Sequence, residues 1–310
     1  MATTTADTPV TARQALHAAA QTLEAVDVDA PRLAAEALLA HALGLSRSRV
    51  LARLQQPLAP NQLSDYQTLI TRCASGEPLA YILGHREFYA LDFSVDPRVL
   101  IPRPETELLI DTAIELARAR AGDAAYRIAD IGTGSGAIAV TLAVHLPHAH
   151  LVATDVSPDA ITVAAFNASR HNVADRIEFR VGDLLDPLDA PVDLIAANLP
   201  YVRSSEWAYL SKSILHHEPA LAFNGGSDGL SLVSRLLHSA PRALRPGGSI
   251  LVEIGAAHGE AALELAHDVF PNADARIRTD YAGLDRLLVV RTTRSAAPPQ
   301  PNRLDADSRG

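Results

Sequence analysis

Cysteine is nearly absent from this chain: Cys73 stands alone among 310 residues. A single thiol supports neither an intrachain disulfide framework nor a multi-cysteine zinc site, which points to a reducing compartment, the cytoplasm. Lysine is as scarce, Lys212 being the only one among 27 basic residues. With the abundance of alanine, this reads as a composition bias rather than an arginine-rich binding surface. Positive charge is in deficit overall: the formal net charge is −9 and the isoelectric point about 5.7. No general positive field therefore draws the chain onto a phosphate backbone, which leaves only a local basic groove for nucleic acid. Long apolar runs are missing too. None approaches the ~20 residues that span a bilayer, and residues 1–11 lack the basic start and apolar run of an export signal. The expectation is a soluble, unexported protein.

What is present is core-forming material. Hydrophobic residues make up 48% of the chain, and at roughly 100–200 residues per domain the length predicts two domains. Residues 11–75 carry helical spacing: Leu16, Ala19, Ala20 and Leu23 recur at three and four, then Leu33, Ala37, Leu38 and Leu39. Pro31 stands behind Asp29 just inside the second helix and Gly44 follows its last apolar turn, a proline start and a glycine stop. Between Phe88 and Ile101 a short run of β-formers predicts a hairpin joining the two domains, its turn at Asp96-Pro97.

From Arg127 onward, apolar strand-like runs (RIADIG, HLVATDV, RIEFRV, VDLIAANL, SILVEI) alternate with helical stretches such as 137–146 and 158–172. That alternation implies a parallel sheet covered on both faces. ADARIRTD and RLLVVRT, separated by Ala282-Gly283, add a final antiparallel hairpin. The organisation expected is a disordered start (1–10), a helical domain (11–86), a β-hairpin linker (87–103), an α/β domain (104–293) and a disordered, proline-rich tail (294–310).

The sharpest local signal is Gly132-Thr133-Gly134-Ser135-Gly136, preceded by Asp130-Ile131, at the end of the first strand of the α/β domain and opening a helix. Glycines let the backbone turn tightly and approach a ligand without a side chain intervening, and ligands of open α/β sheets bind beyond the carboxyl ends of the strands. Gly132, Gly134 and Ala137 also satisfy the G-x-G-x-x-A pattern of a dinucleotide site. Asp130 argues against that ligand, since a carboxylate repels a pyrophosphate and favours the ammonium and sulfonium of S-adenosylmethionine. Asp155, about twenty residues beyond the glycines, is suited to accept hydrogen bonds from both ribose hydroxyls. Its alternative role as a helix cap is already filled by Ser157 and Pro158. Asp183 is either an adenine contact or a turn residue beside Gly182, and Leu184 offers apolar surface to an adenine face.

After the fourth strand of that domain comes Asn198-Leu199-Pro200-Tyr201, which resembles the Asn-Pro-Pro-Tyr motif of amino methyltransferases. An amide nitrogen is a poor nucleophile because its lone pair is delocalised, so a catalyst must grip both hydrogens and align the nitrogen with the methyl–sulfur bond. The Asn198 side-chain oxygen and the Leu199 carbonyl each accept one N–H, Asn198 also borders the cofactor, Pro200 fixes the turn, and Tyr201 packs on the flat amide. Leu199 departs from the motif's first proline, keeping the carbonyl while giving up the fixed φ.

Three further stretches complete the pattern: GEPLAYILGHREFYALDFSV (76–95), LIPRPETELLID (100–111) and HEPALAFNGGSDGL (217–230). With them the chain resembles the PrmC/HemK release-factor glutamine methyltransferases over nearly everything but its ends. The resemblance implies a Rossmann-like class I S-adenosylmethionine-dependent methyltransferase fold with a small N-terminal helical domain. It also implies N5-methylation of the glutamine in the Gly-Gly-Gln motif of class-1 peptide chain release factors, with Arg103, Glu105, Thr106 and Glu107 against the cofactor pocket. A loop of Gly225, Gly226, Asp228 and Gly229 would lie near the acceptor. Two other acceptors share such a loop: the glutamine of a ribosomal protein, and an adenine or cytosine of DNA after base flipping. His145, His148 and His150 span a helix end, a turn and a strand start without a supporting cysteine, so no metal is expected there. Cys73 reads as a small buried hydrophobe.

Overall fold

The structure is a computed structural model that describes residues 9–120 and 126–293. Of the two ends expected to be disordered, residues 1–8 and 294–310 lie outside the described residues, while the Val10 carbonyl accepts the Leu58 N–H at 2.9 Å. The chain divides into two compact units. Among the described residues, one comprises those up to Arg86 with Val95–Pro97 and Leu210–Glu218; the other comprises those of Glu87–Ser94, Arg98–Tyr209 and from Pro219 on.

The first unit holds helices α1 (Ala12–Glu24), α2 (Pro31–Leu43), α3 (Arg47–Leu51), α4 (Pro60–Ala74) and α5 (Leu79–Leu83). Thr11 starts α1 with a reciprocal cap, its hydroxyl accepting the Gln14 N–H while the Gln14 side chain accepts the Thr11 N–H. Pro31 opens α2 after the cap residue Ala30, and Gly44 closes it at φ 60°, as the proline start and glycine stop predict. Leu23, Leu38, Leu39 and Tyr66 form the centre of this core. The buried Tyr66 hydroxyl donates to the Ala35 carbonyl at 3.1 Å, so the ring fills the core without stranding its polar end. Cys73 packs in the same cluster, and burial pushes its thiol up from the ordinary value.

A two-stranded hairpin, β1 (His85–Phe88) and β2 (Leu91–Ser94), follows. Its turn is at Tyr89-Ala90, not at the expected Asp96-Pro97, and both turn residues take left-handed φ angles of 50° and 58°. The type of turn that suits a hairpin's twist needs positive φ at both positions, a conformation that costs a tyrosine energy. Neighbouring contacts hold it: the Tyr89 N–H donates to Glu107 Oε1 (3.0 Å) and its hydroxyl to Asp111 Oδ1 (2.7 Å), while the His145 ring meets it edge-on at 5.0 Å.

The second unit continues with α6 (Glu107–Ala119), β3 (Tyr126–Ile131), α7 (Ala137–His145), β4 (Ala149–Asp155), α8 (Pro158–Arg170), β5 (Ile177–Val181) and β6 (Val192–Ala197). A short helix α9 (Lys212–His217), counted with the first unit, precedes α10 (Ser231–Ala243), β7 (Leu244–Glu253), α11 (Gly259–Val269), β8 (Asp274–Thr279) and β9 (Asp285–Arg291). The strands form one sheet in the order β5-β4-β3-β6-β7-β9-β8, parallel except for β9, which runs antiparallel to both β7 and β8. Alternating side chains fill two cores. Ile128, Leu151, Leu194 and Leu251 pack beneath α6, α7 and the hairpin, while Ile131, Ile195 and Val252 pack beneath α10 and α11.

Strand order reverses at β3, whose neighbours β4 and β6 lie on opposite sides. Its register pairs Ile131 with Thr154 on β4 and with Ala197 on β6. The next residues, Gly132 and Asn198, therefore leave the sheet side by side at the crevice where open α/β sheets bind ligands.

Candidate active site

The glycine loop turns over the end of β3 with Gly132, Gly134 and Gly136 at φ 73°, 54° and 80°. The Gly132 and Thr133 N–H groups both donate to the Thr154 carbonyl at 2.9 Å. At Gly136 a methyl group would lie 3.1 Å from Ala164 Cα, so the absence of a side chain lets α7 and α8 approach. Asp130 lies behind the loop, fully buried, and its Oδ2 accepts the Thr133 hydroxyl (2.6 Å) and the Ala139 N–H (3.0 Å). It thereby takes up one of the free N–H groups of the first turn of α7. Burial pushes this carboxyl up to about 7, and Oδ1 has no hydrogen-bond partner among the described residues. Asp130 therefore braces the loop from behind.

A cavity of about 510 Å³ opens beside the loop. Six of the residues singled out for a cofactor line it: Gly132, Gly134, Asp155, Asp183, Leu184 and Asn198; Leu199 and Pro200 line it too. Thr133 and Ser135 are 6% and 3% exposed and, like Gly136, shape the loop without lining the cavity. Asp155 accepts the Gly134 N–H through Oδ2 and the Ser157 N–H through Oδ1, both at 2.9 Å. Ser157, not Asp155, caps α8, its hydroxyl accepting the Ala160 N–H. Asp183 forms an ion pair with Arg235 of α10, and both side chains are about half exposed. Leu184 takes a left-handed φ of 46°, and its carbonyl accepts the Thr154 hydroxyl at 3.0 Å. Val99, Val156, Leu232 and Arg235, which belong to no motif, also stand on the cavity wall, as does Leu221 of the 217–230 stretch. Only the three-residue spacing of Leu232 and Arg235 on α10 hinted that they share a face.

On the other side of the glycines, Leu199 is buried, with Cδ2 3.2 Å from where a methyl on Gly132 would lie. Asn198 Nδ2 donates to Thr106 Oγ1 at 3.0 Å, and that hydroxyl donates to Glu253 Oε2 at 2.6 Å. The Tyr201 hydroxyl reaches Glu253 Oε1 at 3.4 Å. Burial pushes Glu253 up to about 7 and, with the nearby Glu253 charge, Tyr201 up to about 12. Thr106 belongs to the Pro-Arg-Pro-Glu-Thr-Glu element; Glu253, at the end of β7, carried no motif. Of the remaining residues of that element, Glu107 holds the hairpin turn through Tyr89.

The Gly225–Gly229 loop presses onto the backbone after Asn198. A methyl on Gly225 would lie 2.7 Å from Tyr201 Cα, and one on Gly229 would lie 2.5 Å from the Tyr201 carbonyl oxygen. Two backbone bonds, Val202 N–H to the Phe223 carbonyl (3.0 Å) and Gly225 N–H to the Val202 carbonyl (2.9 Å), stitch the segments together.

Comparison with known proteins decides the family. Residues 14–84 match the family described as PrmC N-terminal domain, and residues 122–267 the family described as Methyltransferase domain. A release factor glutamine methyltransferase of Moorella thermoacetica is 44% identical over 282 residues, 91% of this chain and 98% of that protein. The chain belongs to the release factor glutamine methyltransferase family. Another member, from Nitratidesulfovibrio vulgaris, is 41% identical over 89% of this chain and 93% of its own length. Among solved structures, the hMettl16 catalytic domain, determined in complex with the MAT2A 3′UTR hairpin 1, aligns with a TM-score of 0.53 at 19% identity. That alignment covers 76% of this chain and 84% of the other, and it shows the shared methyltransferase fold.

The family's cofactor is S-adenosylmethionine, and the residues present suit it. A cavity of about 510 Å³ falls within the range of roughly 300–1,000 Å³ for small-molecule sites. Asp155 has lone pairs to spare for ribose hydroxyls, and Leu184 and Leu232 supply apolar wall.

Proposed function

We propose that this protein transfers the methyl group of S-adenosylmethionine to the side-chain amide nitrogen of the glutamine in the Gly-Gly-Gln motif of class-1 peptide chain release factors. When bound, S-adenosylmethionine supplies a methyl group made electrophilic by its sulfonium, so the protein's task is to orient a weak nucleophile. Asn198 carries the argument. Its NH2 is committed to Thr106, which leaves Oδ1 to accept an N–H from the acceptor amide, and the residue lines the same cavity as Gly132. The Leu199 carbonyl accepts the second N–H, Pro200 restricts the turn, and the Tyr201 ring packs on the amide plane. Holding both hydrogens in this way fixes the nitrogen along the line of attack, where positioning is most of the available help.

For the cofactor, the Gly132 and Gly134 backbone, Asp155, Asp183 and Leu184 form the binding wall; Thr133, Ser135 and Gly136 hold that wall in shape. The helical residues 11–86 recognise the protein substrate.

The test is transfer of label from tritiated S-adenosylmethionine to unmodified release factor, located by mass spectrometry. Label is expected on the Gly-Gly-Gln glutamine. In Asn198→Ala the rate is expected to fall on the order of 10²–10³-fold, the usual cost of removing one oriented polar group that acts in a transition state. Label on a ribosomal protein or on DNA, with none on release factor, overturns the assignment.

A further inference from the structure

The Asn198 carboxamide can face the acceptor with either end. Only Oδ1 can receive an N–H; the NH2 would oppose it. Nothing in Asn198 itself selects between the two, because the ends of a carboxamide are nearly the same size and shape. The selection lies two hydrogen bonds away. Thr106 Oγ1 sits between Asn198 Nδ2 (3.0 Å) and Glu253 Oε2 (2.6 Å), and Thr106 and Glu253 are 4% and 1% exposed, so water does not stand in for either partner. A hydroxyl has one proton to give, and a carboxylate only accepts.

We propose that Glu253 is a positioning residue for methyl transfer: as a carboxylate it compels the Thr106 hydroxyl to donate to it, which compels Asn198 to donate its NH2 to Thr106 and turns Asn198 Oδ1 toward the acceptor amide. The proposal rests on Asn198 Oδ1 being the acceptor's partner, as argued above. The same carboxylate reaches Tyr201 with its other oxygen, Oε1 accepting from the hydroxyl at 3.4 Å, so both ends of the Asn-Leu-Pro-Tyr segment are tied to one side chain.

Protonation reverses the relay. A protonated Glu253 donates to Thr106 Oγ1, the Thr106 proton swings to Asn198, and only Oδ1 can receive it; the NH2 then faces the acceptor. Burial pushes Glu253 up to about 7, which brings this reversal to neutral pH. The groups that face it are Thr106 and Glu105 from the turn before α6, Tyr201 from the segment after β6 and Arg286 from β9; Glu105 opposes its charge, and Arg286, itself paired with Asp280, favours it.

Two measurements on the full chain test the relay. In ¹⁵N NMR of the protein without acceptor, the Asn198 side-chain NH2, assigned by its loss in Asn198→Asp, is expected to show one hydrogen-bonded proton. Its shift should titrate with a midpoint at about 7 in the wild type and not in Glu253→Gln. In Thr106→Val that bonded proton is lost. In transfer assays the wild-type kcat is expected to fall on the acid side with the same midpoint. Glu253→Gln should remove that limb, and Thr106→Val should lower kcat about tenfold with S-adenosylmethionine affinity within about twofold, the pattern of a lost orienting contact. Thr106→Ser, which returns the hydroxyl, should recover most of the rate. Asn198 signals that ignore both substitutions, or Thr106→Val at wild-type kcat, overturn the relay. A titrating Asn198 signal in a protein that methylates no release factor supports the relay and removes only the assigned substrate.

Discussion

Leu199 sits where the related motif has its first proline, and the structure shows what the leucine does there. It does not merely stand in for a rigid ring: its side chain is 4% exposed and closes over Gly132. Gly132 is thus constrained twice, by a left-handed φ of 73° and by Leu199 Cδ2 at 3.2 Å from any added methyl group. Gly132→Ala is expected to weaken S-adenosylmethionine binding roughly tenfold, the equivalent of about 1–2 kcal/mol of backbone strain. Calorimetric titration checks it, and an unchanged affinity would show that the loop holds its ligand without that conformation. The glycine turn was readable from its residues alone. That Leu199 packs on it was not, because residues 67 apart in sequence meet only through the β3–β6 register.

At the scale of elements, the hairpin and α8 brace the site through one buried amide. Asn167 of α8 accepts the Ser94 N–H at 2.8 Å and donates to the Ser94 carbonyl at 2.9 Å and to the Ser135 carbonyl at 2.8 Å. The end of β2 and the glycine loop are therefore positioned by the same fully buried side chain. Asn167→Leu keeps the volume but leaves these buried backbone groups without their partner. It is expected to cost about 2–4 kcal/mol in urea unfolding, at 1–3 kcal/mol for each unpaired group with part regained by water. A loss below about 1 kcal/mol, a single exposed bond's worth, would show that the three bonds are dispensable. The hairpin was legible from its β-formers, but its turn was misplaced because Asp96-Pro97 carries turn chemistry and Tyr89-Ala90 carries none. Glu107, Asp111 and His145 make the left-handed tyrosine tolerable, and all three come from later in the chain.

For the whole molecule, two buried carboxyls, Asp130 and Glu253, both pushed up to about 7, set a pH dependence. In the unfolded chain each ionises at its ordinary acidic value, so from about pH 4 to pH 7 the native state binds more protons than the unfolded state. Stability from these groups is fully present below that range, falls as the pH rises through about 7, and is lost above it, by roughly 3–4 kcal/mol for each carboxyl. Asp130→Asn removes the charge while keeping an acceptor oxygen for Thr133 and Ala139. Its stability relative to wild type should therefore improve by about 3 kcal/mol between pH 5 and pH 8, as read by denaturant unfolding at each pH. Parallel curves for the two proteins would mean that Asp130 is already ionised in the native state without penalty.

By itself the sequence determined the alternation of strands and helices, the glycine turn and the Asn-Leu-Pro-Tyr segment, because each rests on local rules: periodicity, backbone freedom at glycine, and the chemistry of four adjacent residues. Only the tertiary structure decided which of these residues meet. It set Asp130 behind the loop, and it joined Thr106, Asn198 and Glu253, from three separate segments, into one chain of hydrogen bonds. The physical reason is that strand order and register bring distant residues together at the end of a sheet, and no local pattern encodes a partner 92 or 147 residues away.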